Sequence, residues 1–432
     1  MWTAAGTSDE RYLAVSNTVN DRAMTALHAP SERAALYALR SAMSFYQQSR
    51  VALGTLVDYP SIAWRGLLEG IYGPNTYCDA STMFWLPWRV LDRTEAIKLT
   101  SRVRMNTFIY GPKCDYYSSP DGWRSDYPTS EGQVVSTAAR VADAYFVKFV
   151  WSVRPLTFFQ SGTYASNLAA LETKLDHVRA MGVRHFALFW DDSYDYPGSV
   201  QQQIQLMNDI DSYLKSKDPT DHLIVVGQPY CGPVGGPSGN FCNGPNATTD
   251  AFGNGLHADI EILWTGPAVE PATIRAADLT AINHSYKREV SIWDNWPCAG
   301  GAPCPGSHYT GRSADLDTAV QGVYINPVLN EYPGPANPIR WFMEVVGDIG
   351  SYTWNTHNYD EHAAYQTWQP LLAKYEKLDG KCLPCSGAPG WTCAGDDTSE
   401  IHFCDFDTAC ETELPCPGGC ESKPPGQADV CH

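Results

Sequence analysis

The chain has 432 residues, enough for one large domain with appendages or for two to three domains, and at 44% apolar and 18% charged residues it can bury a sizeable core. Its formal net charge of -18, with no Lys/Arg cluster, sets its field against a phosphate backbone or an anionic membrane surface, so nucleic acid is not an expected partner. No window approaches the ~18 charge-free apolar residues of a membrane span, so none is expected.

Taken in chain order, residues 1–59 contain one strand-like run, "RYLAVS", and a helix, "SERAALYALRSAMSFYQQ", with Leu36, Leu39, Met43 and Tyr46 on one side. They are too few for an independent core and are expected to pack, as a partial α/β segment, against the domain that begins near residue 60.

Residues 60–378 show the strand-helix rhythm of a parallel α/β fold. The best-defined unit runs from Asn167 to Asp192: Leu168, Leu171, Leu175 and Val178 recur at helical spacing, Gly182 stops the helix, and "VRHFALFW" reads as a buried strand. The other candidates are "WRGLLEGIYG", "MNTFIYGPK", "VKFVWSV", "HLIVVGQPY", "DIEILWTG", "REVSIWDN" and "GVYINP". Together they make eight, which predicts a (β/α)8 barrel of the TIM type rather than an open doubly wound sheet. Each run ends in polar or aromatic residues, on the face where such barrels carry their chemistry.

Residues 379–432 hold eight cysteines, Cys382, Cys385, Cys393, Cys404, Cys410, Cys416, Cys420 and Cys431, spaced by glycine, proline and acids. This reads as a small disulfide-rich module whose pairing cannot be chosen from sequence. Zinc is the alternative, but Cys382-Leu-Pro-Cys385 has no equally spaced second half, so disulfides are favoured. The whole chain has 14 cysteines. That count, with the sequons Asn246-Ala-Thr248 and Asn283-His-Ser285, points to a secreted or extracellular glycoprotein, with an extracellular partner for the tail. The opening "MWTAAGTSDERYLAVS" has neither a basic nor an apolar leader region, so the chain reads as a mature form or an incomplete N-terminus.

Chemistry concentrates in "ALFWDDS", where a buried run ends in Asp191 and Asp192. Successive strand side chains face opposite ways, so both acids address one pocket only if the strand breaks there. Two carboxylates this close cannot both ionise freely, which suits a proton donor beside a permanent anion. An Asp pair that merely caps the next turn is the plain alternative. At the other strand ends stand Tyr230, Trp264, Thr265, Trp293, Asn295, Asn326 and Trp354. Taken singly, each reads as a packed aromatic or a turn residue. Gathered on one face beside a carboxylate pair, they describe a sugar site, since indoles and phenols stack on pyranoses and amides bind hydroxyl or acetamido groups.

These residues carry a resemblance to glycoside hydrolase family 84, the β-N-acetylglucosaminidases acting on O-linked GlcNAc and related substrates, some of them named hyaluronidases. It runs from about residue 34 to 368 and rests on "RGLLEGIYG", "MNTFIYGPKCDYYSSPDGWRSDYP", "MGVRHFALFWDDS", "DIEILWTGP", "SIWDNWP" and "WNTHNYD". The resemblance implies a retaining, substrate-assisted mechanism without metal or cofactor, in which the sugar's own 2-acetamido oxygen attacks the anomeric carbon and forms an oxazoline. By position Asp191 accepts the acetamido N–H, and Asp192 protonates the leaving oxygen and then activates water.

The resemblance also assigns roles to the remaining positions. Gly70 and Tyr72 stand at the first strand end, where backbone approaches the sugar, and Lys113 matches a hydroxyl-binding lysine. Tyr230 and Thr265 flank the acetamido pocket, Trp293 lines it, and Asn295 helps position the carboxylates. Asn326 binds a hydroxyl and Trp354 stacks. Two departures stand out. Lys113-Cys114-Asp115 replaces Lys-Asp-Asp, with a Cys78–Cys114 disulfide expected. After "WDNWP", the family's aspartate for the 4- and 6-hydroxyls is missing from "CAGGAPCPGSHYTGR", in which Cys298 and Cys304 are placed to close a small loop. The second departure leaves open a hyaluronidase-like endo-hexosaminidase acting on a longer glycan. A decayed barrel that only binds carbohydrate is the non-enzymatic alternative.

Overall fold

The computed structural model describes residues 10–19, 22–46, 54–70, 93–112, 115–160, 162–191, 198–232, 242–296, 309–327, 338–360 and 364, and five strands between 391 and 431. Eight parallel strands close into a barrel: β4 (Trp64–Glu69), β5 (Thr107–Tyr110), β6 (Lys148–Val153), β7 (His185–Phe189), β8 (His222–Val226), β9 (Glu261–Trp264), β10 (Val290–Asp294) and β11 (Val320–Ile325). Each matches one of the eight runs read from the sequence. The order is sequential around the ring, with β11 pairing back onto β4 through Gly322–Trp64 to Ile325–Leu67.

Period-two alternation builds the two sides of this wall. Leu68, Ile109, Val150, Ala187, Ile224, Leu263 and Tyr324 pack in the interior. Their neighbours Leu67, Phe108, Phe149, Leu188, Val225, Ile262 and Val323 face the helices. Those helices are α2 (Arg93–Arg102), α3 (Thr129–Ala144), α4 (Tyr164–Ala180), α5 (Val200–Lys217), α6 (Ala247–Gly255), α7 (Ala276–Tyr286) and α8 (Pro338–Trp354). In α4 Leu171, Leu175 and Val178 are buried; Thr163 caps the start in a reciprocal box with Ser166, and Gly182, at φ +101°, supplies the left-handed turn into β7. No described helix is long and apolar enough to cross a membrane.

The N-terminal mouth of the barrel is closed by polar groups. Glu261 accepts hydrogen bonds from Ser291 and from Tyr324 at 2.8 Å, and pairs with His222 at 2.6 Å. Lys148 Nζ lies 3.5 Å from the Trp64 ring centre, and that ring stacks on His222.

At the same end sits the N-terminal segment, a three-stranded antiparallel sheet of β1 (Tyr12–Val19), β2 (Arg22–His28) and β3 (Gly54–Asp58), with α1 (Glu32–Tyr46). The helix buries Ala34, Tyr37, Ala38 and Ala42 and leaves Leu39 49% exposed. The expected leucine face is therefore corrected: small residues let α1 approach closely, and Tyr37 reaches across to the Met105 carbonyl at 3.3 Å. Glu10 seals the junction. It accepts from Arg65 Nη2, from Arg33 at 3.0 Å and from Asn106 at 2.8 Å.

The cysteine-rich tail contains a three-stranded antiparallel sheet, β12 (Trp391–Ala394), β13 (Asp397–Asp405) and β14 (Cys410–Pro415), and a hairpin of β15 (Cys420–Glu421) and β16 (Val430–Cys431) whose register sets Cys420 opposite Cys431. Both sequon asparagines already have structural partners. Asn246 caps α6 and donates to the Asn243 carbonyl at 2.8 Å, while Asn283 donates to the Ala319 carbonyl at 2.7 Å.

Burial would raise the Glu10 carboxyl, but the Arg65 and Arg33 guanidiniums hold it below the usual range. Its contribution to stability is therefore present above the unfolded carboxylate range and is lost as pH falls through the lower folded value. Glu10→Gln is expected to lower unfolding free energy by about 3 kcal/mol at neutral pH, because Arg65 is left buried without its counter-charge. Denaturant titrations at several pH values should show that difference shrinking in acid.

Candidate active site

The β7 ladder ends where Trp190 N donates to the Val226 carbonyl at 3.0 Å, and the next residue, Asp191, is already in a turn and 4% exposed. The strand break that an adjacent acid pair demands is therefore present at Asp191 itself. Asp192 lies outside the described residues, as do Tyr72, Lys113 and the cysteines at 78, 114, 298 and 304.

Four of the expected site residues form one hydrogen-bonded chain across the C-terminal face. Gly70 N, just past β4, donates to Asn326 Oδ1 at 3.1 Å; Asn326 Nδ2, just past β11, donates to Asn295 Oδ1 at 2.8 Å; and that same oxygen accepts the Trp293 indole N–H at 2.8 Å. Asn295 Nδ2 then ties the chain to the Val269 carbonyl at 2.9 Å. Each amide keeps one N–H uncommitted among the described residues, which can meet a hydroxyl or a carboxylate. A Cβ at position 70 would stand 2.7 Å from Leu68 Cδ2 and 3.0 Å from Asn326 Oδ1, so any larger residue there has to displace one of these side chains.

The opposite rim is made by β8 and β9. Thr265 N donates to the Tyr230 carbonyl at 2.9 Å, and Thr265 Oγ1 to the Ala268 carbonyl at 2.7 Å. A disulfide joins Cys231, next to Tyr230, to Cys242. Tyr230 and Trp293 belong to the barrel's interior cluster, and Trp293 meets Phe189 with ring centroids 5.3 Å apart. The interior wall thus rises directly into the site. Among the described residues no group of three or more His, Cys, Asp and Glu side chains is placed to hold a metal ion.

Behind the β5 end, buried polar groups fix the loop that begins at Gly111. Asp115 caps the short turn Tyr116–Ser118, accepting from Tyr117 N at 2.9 Å, from Tyr110 OH at 3.0 Å and from Tyr127 OH. Burial pushes the Asp115 carboxyl up, against the pull of the two phenols. Desolvation also brings neighbouring Lys174 down to about 8, although the Asp115 charge opposes it. In the Lys113-Cys114-Asp115 run, the acid is therefore a buried support for the loop.

Two sequence expectations are corrected. Trp354 ends α8 at the N-terminal face, opposite the site. Its ring packs edge-on to Tyr37 at 5.3 Å and carries the Arg104 and Arg65 guanidiniums at 4.8 and 5.4 Å, while its indole N–H donates to Asp58 at 2.9 Å. A strand-end reading placed it on the wrong face because it terminates a helix, and barrel helices run back toward the strands' N-terminal ends. Trp264 points outward as the even partner of interior Leu263 and meets Tyr286 of α7.

Two contributors escaped the sequence reading. Arg154, just past β6, donates Nη2 to the Asp191 main-chain oxygen at 2.8 Å, with Nε 3.8 Å from Asp191 Oδ1. Its only local signal is a lone arginine directly after "VKFVWSV". Asp294 turns away from the site and takes Arg312 and Tyr309, the Tyr309 bond being 2.6 Å, which anchors the end of the β10–β11 connection.

The family model described as beta-N-acetylglucosaminidase matches residues 65–379. Protein O-GlcNAcase from Mus musculus and from Rattus norvegicus are each 29% identical over 285 residues, covering 61% of this chain and 28% of theirs. The chain thus spans under a third of the length of these relatives. Among solved structures, CpGH84B superposes with a TM-score of 0.70 at 25% identity, over 87% of this chain and 63% of that one. An O-GlcNAc hydrolase mutant from Thermobaculum terrenum gives a TM-score of 0.59 at 22% identity, over 73% and 66% of the two chains, a likeness of fold.

Because Trp354 serves the far face, Trp354→Phe should cost about 1–2 kcal/mol through the lost indole bond and ring contacts. Ligand affinity at the C-terminal face should stay unchanged. A weakened ligand with unaltered thermal stability would return Trp354 to the site.

Proposed function

The chain belongs to the β-N-acetylglucosaminidase family, glycoside hydrolase family 84, and from that premise we propose that it hydrolyses β-linked GlcNAc with retention, by assistance from the substrate's own acetamido group. The observation that carries this reading is the buried Asp191 carboxylate just past the C-terminal end of β7, on the same barrel face as the Gly70–Asn326–Asn295–Trp293 chain at the ends of β4, β10 and β11. Asp191 accepts the acetamido N–H, which orients the acetamido oxygen toward the anomeric carbon and stabilises the positive charge that builds on the oxazoline. Asp192 gives its proton to the departing glycosidic oxygen and takes one back from the water that opens the ring. Adjacent carboxylates suit adjacent sugar carbons, and the two acids act as one coupled pair. Trp293, Tyr230 and Thr265 shape the pocket, and Gly70, Lys113, Asn295 and Asn326 meet its polar edge.

The segment between Trp296 and Tyr309 carries no acid, which favours a glycan that extends or is substituted beyond a terminal GlcNAc. We also place the protein in an oxidising compartment, outside the cell, with the tail free to meet an extracellular partner. Support comes from the 14 cysteines and from the Cys231–Cys242 disulfide.

An aryl β-N-acetylglucosaminide should be turned over at least about a thousandfold faster, in kcat/KM, than the matching β-glucoside, because the glucoside lacks the internal nucleophile. Equal turnover would rule out acetamido participation. For the compartment, titration with a thiol reagent in denaturant without reductant should find most of the cysteines unreactive. A majority of free thiols would overturn the secreted reading.

A further inference from the structure

Among the described residues, three carboxylates, Glu69, Asp191 and Asp294, stand at or just past the C-terminal ends of barrel strands, and each meets an arginine, but not in the same way. Glu69 on β4 is gripped by Arg93 through bonds of 2.6 and 2.7 Å. Asp294 on β10 is gripped by Arg312 through Nε at 2.8 Å and through Nη2. Both forks use both carboxylate oxygens, and both acids, next in chain to the interior residues Leu68 and Trp293, turn outward. These pairs are closed.

Arg154 treats Asp191 differently. Its Nη2 bonds the main-chain oxygen, while Nε, buried and without a hydrogen bond among the described residues, stops 3.8 Å from Oδ1. The arginine is itself held, its N donating to the Ser118 carbonyl at 2.8 Å. Its charge therefore reaches the Asp191 side chain without the two-bond grip that closes the other pairs. A tight fork would quench the negative charge that a developing oxazoline needs; no cation at all would leave two adjacent acids to share one proton without preference.

We propose that Arg154 is the positioning residue that divides the acid pair, holding Asp191 as the anion for the acetamido N–H and so keeping the shared proton on Asp192. This rests on the roles given to Asp191 and Asp192 above. Among the described residues of the same rim, β8 brings the Tyr230 phenol and β10 the Trp293 indole and the Asn295 amide, all uncharged, and Asp294 is turned away onto Arg312 and Tyr309.

The test compares pH profiles of kcat/KM on an aryl β-N-acetylglucosaminide for the full chain and for Arg154→Met, Arg154→Gln and Arg154→Lys. Removing the guanidinium makes Asp191 easier to protonate, so both neutral variants should move the acid limb up by about one pH unit. They should also lose about 10- to 100-fold at the optimum, the range for one lost charge-assisted contact. Arg154→Lys, which restores the charge without the fork, should bring the acid limb back. Arg154→Gln keeps a polar, uncharged side chain at the position, so it decides the matter if the methionine variant does not fold. A wild-type acid limb in the glutamine variant, or equal losses in the lysine and glutamine variants, overturns the proposal. A parent chain that hydrolyses the glucosaminide while its neutral variants keep the parental limb refutes the role of Arg154 alone. A parent that does not discriminate between the two sugars refutes the mechanism beneath it.

Discussion

A parallel barrel closes only when every strand leaves from the same end, and that requirement governs both faces of this protein. Gly70, Asp191, Tyr230, Thr265, Asn295 and Asn326 are scattered over more than half the chain, yet each follows a strand and so reaches one rim. Alternation along the strands then divides the wall. One set of alternate residues, such as Leu68, Leu263 and Tyr324, fills the interior, while their chain neighbours, such as Leu67 and Trp264, bind the helices. At the rim the interior set continues upward as Phe189, Tyr230 and Trp293, so the core runs up to the face that carries the expected site residues.

Buried charge is used for different ends at the two faces. At the N-terminal mouth, Glu261 with His222, Ser291 and Tyr324 plugs the barrel, and Glu10 with Arg65, Arg33 and Asn106 fastens the small N-terminal sheet. Such charges are costly to bury and are kept only where every partner is in place. At the C-terminal rim, the closed pairs Glu69–Arg93 and Asp294–Arg312 and the buried Asp115 brace the loops from behind. The looser contact between Arg154 and Asp191 is the one aimed at the position where chemistry is expected.

The parts of the fold legible in the sequence were those written locally. Eight apolar runs, each closed by polar or aromatic residues, mark eight strands. The spacing of Leu168, Leu171, Leu175 and Val178, with Gly182 after, marks a helix and its C-terminal end. The strand break at Asp191 was legible because two adjacent acids cannot share a pocket along an unbroken strand. What misled was inference from residue type without direction. Leu39 is exposed because α1 docks through alanines, and Trp354 sits under the barrel because it ends a helix.

The sequence by itself determined which residues are strand, which side of each strand is apolar, and where acids and amides stand relative to strand ends. Those are properties of a few neighbouring residues, set by periodicity and backbone chemistry. Only the tertiary structure decided that Gly70, Asn326, Asn295 and Trp293 form one hydrogen-bonded chain, and that Arg154 stands beside Asp191 while Arg93 and Arg312 are spent on other acids. These pairings join strand ends far apart in the chain, and their distances exist only once the ring is closed.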